Sequence, residues 1–138
     1  MGRKTGLSVL GLVAVFGLGV MANEKAPESY TAIMKSNTAT QQSLGKNIPA
    51  KDYDAIAKDA ATFKANFVQA EAFWVARKTD DAIGFARAAG KAAADLEAAA
   101  KAKNDEGVAL AAKALTGTCG ACHMAHRVRL PDGTFEIK

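Results

Sequence analysis

The sequence contains little proline and no run of alternating β-branched residues, so nothing in it points to a β-sheet protein. Only three prolines occur among 138 residues, whereas alanine and lysine are the commonest residues. These residues favour helix, and the local preference is therefore helical along nearly the whole chain. With 49% hydrophobic and 23% charged residues, the composition is that of a globular protein with room for one modest core.

Cysteine and histidine are also scarce. There are two of each, and all four lie in the segment TGTCGACHMAHRVRL. Two cysteines in an exported protein would usually suggest a disulfide, but their spacing favours another use. Charge of one sign is low as well, because the formal net charge of +4 falls to +2 without Arg3 and Lys4. The remaining basic residues are evenly scattered, so a nucleic-acid-binding surface is not expected.

The first 22 residues, MGRKTGLSVLGLVAVFGLGVMA, have the plan of a secretory signal peptide. Two basic residues precede an apolar run from Val9 to Val20, and small-residue cleavage chemistry follows at Ala22. We expect cleavage after Ala22 and a mature domain of residues 23–138 that is periplasmic or otherwise exported. A retained membrane anchor is the alternative, but the glycines make a poor spanning helix. No stable membrane association is expected after cleavage.

Four helical segments separate in the mature sequence. They span about residues 28–44, 51–78, 79–103 and 104 into the cysteine segment. Gly45 is expected to end the first helix, with Asn47 and Pro49 as further breakers. Thr79 and Asn104 are the expected N-caps of the third and fourth helices, each followed by acidic residues that complement the helix dipole. Short connections force antiparallel neighbours, so we predict an all-α, up-down-up-down four-helix bundle.

The predicted helices carry core-facing stripes of different bulk. In the second helix the gaps alternate between three and four residues, as bundle packing requires: Tyr53, Ile56, Ala60, Phe63, Phe67, Ala70 and Trp74. In the third helix the stripe is nearly all alanine: Ala82, Ala86, Ala89, Ala93, Leu96 and Ala100. The fourth contributes Val108, Ala111 and Leu115. Alanine buries little area, so this core is under-filled unless a cofactor occupies it.

The stretch CGACH places Cys119, Cys122 and His123 in the C-x-x-C-H arrangement that attaches c-type haem. Two thiols three residues apart on one helical turn can each add to a vinyl group of the same porphyrin, and His123 can then ligate the iron. A thioredoxin-like pair would follow a strand, and none is predicted before Cys119. A zinc site would draw all four ligands, His126 included, from one short segment. Buried structural thiols are the remaining alternative.

The second axial ligand decides between electron transfer and ligand binding. Met124 and His126 follow His123 on the same helix, so they face the same side of the porphyrin. Met34 is then the only methionine of the mature chain that could approach from across the bundle. The residues that share its helical face are Tyr30, Asn37, Gln41 and Leu44. That face puts two amides where a core wants apolar groups. Ordinary core filling is the alternative role for Met34.

The pattern resembles the class II cytochromes c, exported four-helix bundles that include cytochrome c prime and attach haem near the C-terminus. In CGACHMAHR, Cys119, Cys122 and His123 match the attachment and proximal-ligand positions. Arg127 matches the arginine that follows the histidine by four residues. The stretch AIMKSN around Met34 is similar to the low-spin members, in which a methionine ligates the iron. High-spin members instead leave the iron five-coordinate and bind nitric oxide or carbon monoxide.

The chain departs from this family at His126, where an aromatic residue is common, and in its tail, VRLPDGTFEIK. The triplet Pro131-Asp132-Gly133 is a turn signal, so the tail is expected to fold back as an irregular segment. Phe135 and Ile137 would then cover apolar surface, unless the terminus is frayed. Arg127 either holds a haem propionate or is a solvated cation at the helix end.

The resemblance implies a monohaem c-type cytochrome that carries one electron, with haem c attached through Cys119 and Cys122 and its iron ligated by His123 and Met34. A five-coordinate binder of nitric oxide or carbon monoxide is the alternative. No enzymatic activity is expected, because both histidines belong to the haem-attachment helix and none is left as an acid-base group over the open face. The expected partners are redox proteins, and a homodimer stays open.

Overall fold

Four helices account for most of residues 23–138, the part of the chain that the computed structural model describes. They are α1 (Glu28–Ala50), α2 (Tyr53–Arg77), α3 (Asp80–Lys101) and α4 (Asp105–His126). Three short strands complete the fold: β1 (Glu24–Lys25), β2 (Arg127–Arg129) and β3 (Phe135–Ile137). The prediction of a four-helix, predominantly α fold is confirmed. The expected signal peptide, residues 1–22, lies outside the described residues.

The helices form a bundle because only two or three residues join each one to the next. Connections of this length reverse the chain, so consecutive helices lie side by side in opposite directions. Accordingly, α2 packs against α1 and α3, and α3 packs against α4. Within residues 23–138, none of the helices is both long and apolar enough to cross a membrane.

The core follows the predicted stripes closely. All the predicted positions of α3 and α4 are buried, as are those of α2 except the half-buried Tyr53. Three polar residues, Asn37, Thr40 and Asn66, belong to the buried faces of α1 and α2. Leu96 is fully enclosed, with 0% of its surface exposed. The predicted alanine face of α3 is therefore the inner face of the bundle.

Helix α1 is longer than predicted, and the expectation that Gly45 ends it is wrong. A glycine in a helix costs about 1 kcal/mol, which contacts beyond it offset. Ile48 packs against the core, and Asn47 Nδ2 donates to Asp59 Oδ2 on α2 over 3.0 Å. Pro49 lies in the last turn, where a missing N–H removes only one bond near the helix end. Long-range contacts therefore outweigh the local breaker signals.

The helix ends use both predicted and unpredicted caps. Asn104 Oδ1 accepts a hydrogen bond from Gly107 N–H over 3.0 Å, which confirms its role as N-cap of α4. Thr79 occupies the N-cap position of α3, but its side chain makes no capping hydrogen bond. At the other ends, α1 and α2 close with Lys51 and Lys78 in the left-handed region, at φ 54° and 56°, a geometry that ends many helices.

The C-terminal tail is a β-hairpin, so the expectation of an irregular segment is wrong. Strands β2 and β3 pair antiparallel, and β1 pairs with the other edge of β3. The predicted turn joins the hairpin, with Gly133 at φ 85°, where glycine is favoured. Ile137 is 5% exposed and belongs to the core, whereas Phe135 is 43% exposed. Tail residues therefore do cover apolar surface, through Ile137.

The enclosed Leu96 gives a test of the core. We expect Leu96→Ala to lower the free energy of unfolding by about 2–5 kcal/mol, because it removes buried methyl groups and leaves a void. The matched control is Leu110→Ala, since Leu110 is 63% exposed and should change stability by less than about 0.5 kcal/mol. Urea unfolding followed by circular dichroism measures both. Equal effects for the two substitutions would contradict the assigned core.

Candidate functional site

Both cysteines and both histidines lie in the final turns of α4. Cys119, Cys122 and His123 are half-buried, and both cysteines are free thiols. Side chains three or four residues apart lie on one face of a helix. The C-x-x-C-H segment therefore presents two thiols and an imidazole on one continuous helical surface, close to the C-terminal end of α4.

Burial favours the neutral forms of these groups. It raises the pKa of Cys122 to about 11, with smaller contributions from Cys119 and Asp81. Burial likewise raises the pKa of Cys119. Burial first, and then the positive charge of Arg127, lower the pKa of His123. Near neutral pH the imidazole is therefore uncharged, which is the form that binds metals.

These protonation states disfavour a redox-active cysteine pair. Reactive thiols have lowered pKa values and commonly lie at a helix N-terminus, where the dipole favours the thiolate. Cys119 and Cys122 have raised pKa values and lie toward the opposite end of α4. A zinc cluster finds no support either, because within residues 23–138 no three side chains among histidine, cysteine, aspartate and glutamate form a metal-binding group.

The cysteines and His123 face a cavity inside the bundle. Its volume is about 250 Å³, and all four helices contribute to its wall. Helix α4 provides Cys119, Cys122 and His123, and α1 provides Met34 on its own side. The wall is otherwise largely apolar, with aromatic rings from α2 and α3: Phe63, Phe67, Trp74 and Phe85. The cavity agrees with the prediction that the alanine-rich core is under-filled, and both cysteines line it.

A second cavity, of about 460 Å³, adjoins the first. It lies between α1, the end of α4 and the sheet, and it shares Met34, Cys122 and His123 with the first cavity. Its wall also includes basic side chains from three elements: Lys25, Lys35 and Arg127. The space beside His123 therefore extends from the centre of the bundle to a polar end under the sheet. The larger cavity falls within the range typical of small-molecule sites.

Met34 is the predicted site residue that lies farthest from the others in sequence. It is half-buried, it packs against the core, and it lines both cavities together with His123. Met124, in contrast, is 76% exposed and lines neither cavity. The fold thus brings Met34 into the same cavity as the C-x-x-C-H segment.

His126 lies among aromatic rings. Its ring centroid is 5.1 Å from that of Trp74 and 6.3 Å from that of Phe85. Its Nε2 lies 2.9 Å from Asp81 Oδ2, at the start of α3. His126 lines only the second cavity. It therefore packs as an aromatic residue would and ties α4 to α3, and one of its ring nitrogens is already engaged.

Arg127 is the C-cap residue of α4 and the first residue of β2. Its guanidinium carbon lies 4.1 Å from the centroid of the Phe135 ring, an arrangement that favours a cation–π contact. Both residues line the second cavity. Arg127 is exposed, and its side chain packs on the hairpin beside the cavity, so both predicted roles, a partner for a haem propionate and a solvated cation, stay open.

Two hydrogen-bonded pairs at the site could not be found from the sequence. Trp74 Nε1 donates to Tyr30 Oη over 2.9 Å, and Asn66 Nδ2 donates to Asn37 Oδ1 over 2.8 Å. Their partners lie on different helices, far apart in sequence, so no local pattern marks them. Burial raises the pKa of Tyr30 to about 12, which keeps its hydroxyl protonated. The amide of Gln41, expected on the same inner face, is exposed.

The residues present fit a covalently attached haem. Two thiols one helical turn apart have the spacing that suits addition to two vinyl groups, and a neutral imidazole and a thioether are ligands that haem iron takes. A largely apolar cavity between α1 and α4 suits a flat ring system.

The chain matches no protein-family model, and no curated protein or solved structure matches it either. A function for the chain must therefore be inferred from the residues that line the cavity.

The raised thiol pKa gives a second test. In Cys119→Ser protein produced without haem, the alkylation rate of Cys122 by iodoacetamide should be low at pH 8 and should still rise well above pH 9. The reason is that burial, the main cause of the raised pKa of Cys122, stays in this variant, and only the thiolate reacts. The same chain unfolded in urea is the control, with an ordinary thiol pKa of about 8.5. Superimposable pH profiles for the folded and unfolded chains would contradict the buried placement of Cys122.

Proposed function

We propose that the chain is an exported monohaem c-type cytochrome of the class II, four-helix kind, and that it carries one electron at a time. The observation that supports this most strongly is that Cys119, Cys122 and His123 line one cavity together with Met34. The first three come from α4 and the fourth from α1. Attachment groups and two candidate axial ligands thus surround a single space.

The C-x-x-C-H segment supplies attachment and one ligand. Cys119 and Cys122 form thioether bonds to the vinyl groups of the porphyrin, which makes the haem a permanent part of the fold. His123 ligates the iron through its neutral ring, the form that burial favours. When bound, haem supplies an iron that takes up and releases one electron. The resemblance to class II cytochromes c assigns the same roles to these residues.

Met34 is the proposed second ligand. Met34 and His123 would hold the iron together, and a ligand set of thioether and imidazole favours ferrous iron and so raises the reduction potential. The aromatic rings that line the cavity exclude water from the haem: Phe63, Phe67 and Phe85. With both axial positions taken by side chains, no substrate needs to reach the iron. This set of ligands suits electron transfer better than catalysis.

The polar end of the second cavity suits the haem propionates. Lys25, Lys35 and Arg127 line it, and each carries a positive charge that can pair with a carboxylate. Arg127 is held beside the cavity by its packing on Phe135. Export through residues 1–22 belongs to the same proposal, because c-type haem is attached in an exported compartment. Redox proteins are the partners that such a carrier needs.

Binding of nitric oxide or carbon monoxide is the second candidate. One observation favours it: Met34 lines both cavities, so its side chain borders open space in each of them. A methionine with free space beside it can leave the iron to an incoming diatomic molecule. The two candidates differ in whether Met34 holds the iron firmly.

The optical spectrum distinguishes them. For the haem-loaded protein we expect low-spin spectra in both oxidation states and no spectral change when carbon monoxide is added to the ferrous form. Met34→Ala should bind carbon monoxide readily, because it removes the sixth ligand. Met124→Ala is the matched control, since that methionine is 76% exposed, and its spectra should equal those of the wild type.

Two results would contradict electron carriage. A high-spin wild type that binds carbon monoxide readily would remove Met34 from the iron and favour gas binding. Identical carbon monoxide behaviour in Met34→Ala and Met124→Ala would show that Met34 has no special role at the iron.

A further inference from the structure

Two buried side chains beside Met34 have unused hydrogen-bond donors. Tyr30 is 9% exposed and Asn37 is 8% exposed, and both line the first cavity together with Met34. Tyr30 precedes Met34 by four residues and Asn37 follows it by three, so the three side chains share one face of α1. Buried polar groups normally have hydrogen-bond partners, so a buried donor without one is available to a ligand in the cavity.

The hydroxyl of Tyr30 is fixed as a donor toward the cavity. Its oxygen already accepts a hydrogen bond from Trp74 Nε1 over 2.9 Å. Its ring is held by stacking on Phe73, with ring centroids 4.2 Å apart. Among residues 23–138, no acceptor receives the hydroxyl hydrogen of Tyr30. A phenol whose oxygen already accepts one hydrogen bond and whose hydrogen is unused is available to donate to whatever enters the space beside it.

The amide of Asn37 is oriented in the same sense. Its Oδ1 accepts from Asn66 Nδ2 over 2.8 Å, and Asn66 Nδ2 also donates to Ser36 Oγ over 2.9 Å. The oxygen of Asn37 therefore points to Asn66, and its NH₂ group points elsewhere. No acceptor for that NH₂ group lies within the described part of the chain, and no side-chain polar atom there is sealed off without a partner. The NH₂ group is thus free to donate, and Asn37 lines the cavity.

These two donors lie in a wall that is largely apolar but also includes other polar side chains, such as Thr38, Gln41 and Thr118. Phe63, Phe67 and Ala86 line the same cavity and offer nothing to a polar ligand. Neither donor is engaged by the thioether of Met34, since the side-chain hydrogen bonds of Tyr30 and Asn37 are those to Trp74 and Asn66. Tyr30 and Asn37 are buried, and each has an unused donor beside an oxygen that already accepts, so the ligand that complements them is a small molecule that accepts hydrogen bonds.

We propose that Tyr30 and Asn37 form a two-donor subsite on the Met34 side of the haem, which selects a small diatomic ligand whose outer atom accepts hydrogen bonds once it is bound to the iron. The inference rests on the proposed haem attachment and on the second candidate function, in which Met34 leaves the iron to a diatomic ligand. Hydrogen-bond donors beside the iron are one of the features that decide which diatomic ligand a haem protein holds. Some diatomic ligands become negatively charged when they bind the iron, whereas carbon monoxide accepts hydrogen bonds only weakly. The subsite would favour the charged ligands over carbon monoxide.

Cyanide and carbon monoxide are suitable probes, tested on the haem-loaded protein with Met34→Ala to open the position. In that background, Tyr30→Phe and Asn37→Leu should each raise the Kd of the ferric protein for cyanide about tenfold, the effect of losing one hydrogen bond to a charged group. The Kd of the ferrous protein for carbon monoxide should change less than about twofold. The ratio of the two effects separates hydrogen bonding from altered packing.

Thr38→Val is the matched control. Thr38 also lines the first cavity and carries a hydroxyl, but that hydroxyl already donates to the Met34 carbonyl oxygen over 3.0 Å. Replacing it should leave the cyanide affinity unchanged. Tyr30→Phe keeps the ring and its stacking on Phe73, so it serves as the decisive variant if Asn37→Leu does not fold.

The possible results are distinct. A selective loss of cyanide affinity in Tyr30→Phe supports the subsite. An unchanged cyanide affinity in Tyr30→Phe, or equal changes for cyanide and carbon monoxide, would overturn the subsite and leave the haem proposal intact. A purified wild type without attached haem, shown by its absorption spectrum before any titration, would overturn the proposed function and the subsite with it.

Discussion

The alanine face of α3 is the constraint on which the rest of the structure depends. Small side chains let α2 and α4 pack closely on α3, while they fill little of the space that faces α1. The large apolar side chains come mostly from α2, such as Phe63 and Trp74. The cavity therefore lies where the apolar side chains are too small to fill the space between the helices. Cys119 and Cys122 line that space. The alanine face of α3 therefore both allows the helices to pack closely and leaves the cavity at which the cysteines lie.

Side chains far apart in sequence complete the site. Met34 reaches it because the chain reverses between consecutive helices and α1 also borders the cavity. The sheet closes the neighbouring space, because β1 pairs with β3 and joins the first described residues to the last. His126 adds a link between α4 and α3 through Asp81. The C-x-x-C-H segment is thus supported from three sides by elements that share no local sequence signal.

Periodicity predicted most of the fold, because an inner helix face repeats every three or four residues and α2, α3 and α4 follow that rule. It failed for the end of α1, where the tertiary contacts of Asn47 and Ile48 outweigh Gly45. It also failed for the tail, because strands of two or three residues show no alternating pattern and depend on a partner at the other end of the chain. Cys119, Cys122, His123 and Met34 were predicted as site residues from motif and helical side. The donor groups of Tyr30 and Asn37 were not, since hydrogen bonds from other helices orient them.

Covalent attachment of one haem through Cys119 and Cys122 is the central claim, and the intact mass under denaturing conditions tests it most directly. The protein would be produced with the cellular machinery for c-type haem attachment. We predict the mass of the polypeptide plus one haem for the wild type, and the mass of the polypeptide alone when both cysteines are replaced by serine. A wild-type mass without haem, or a haem that is lost on denaturation, would contradict the claim.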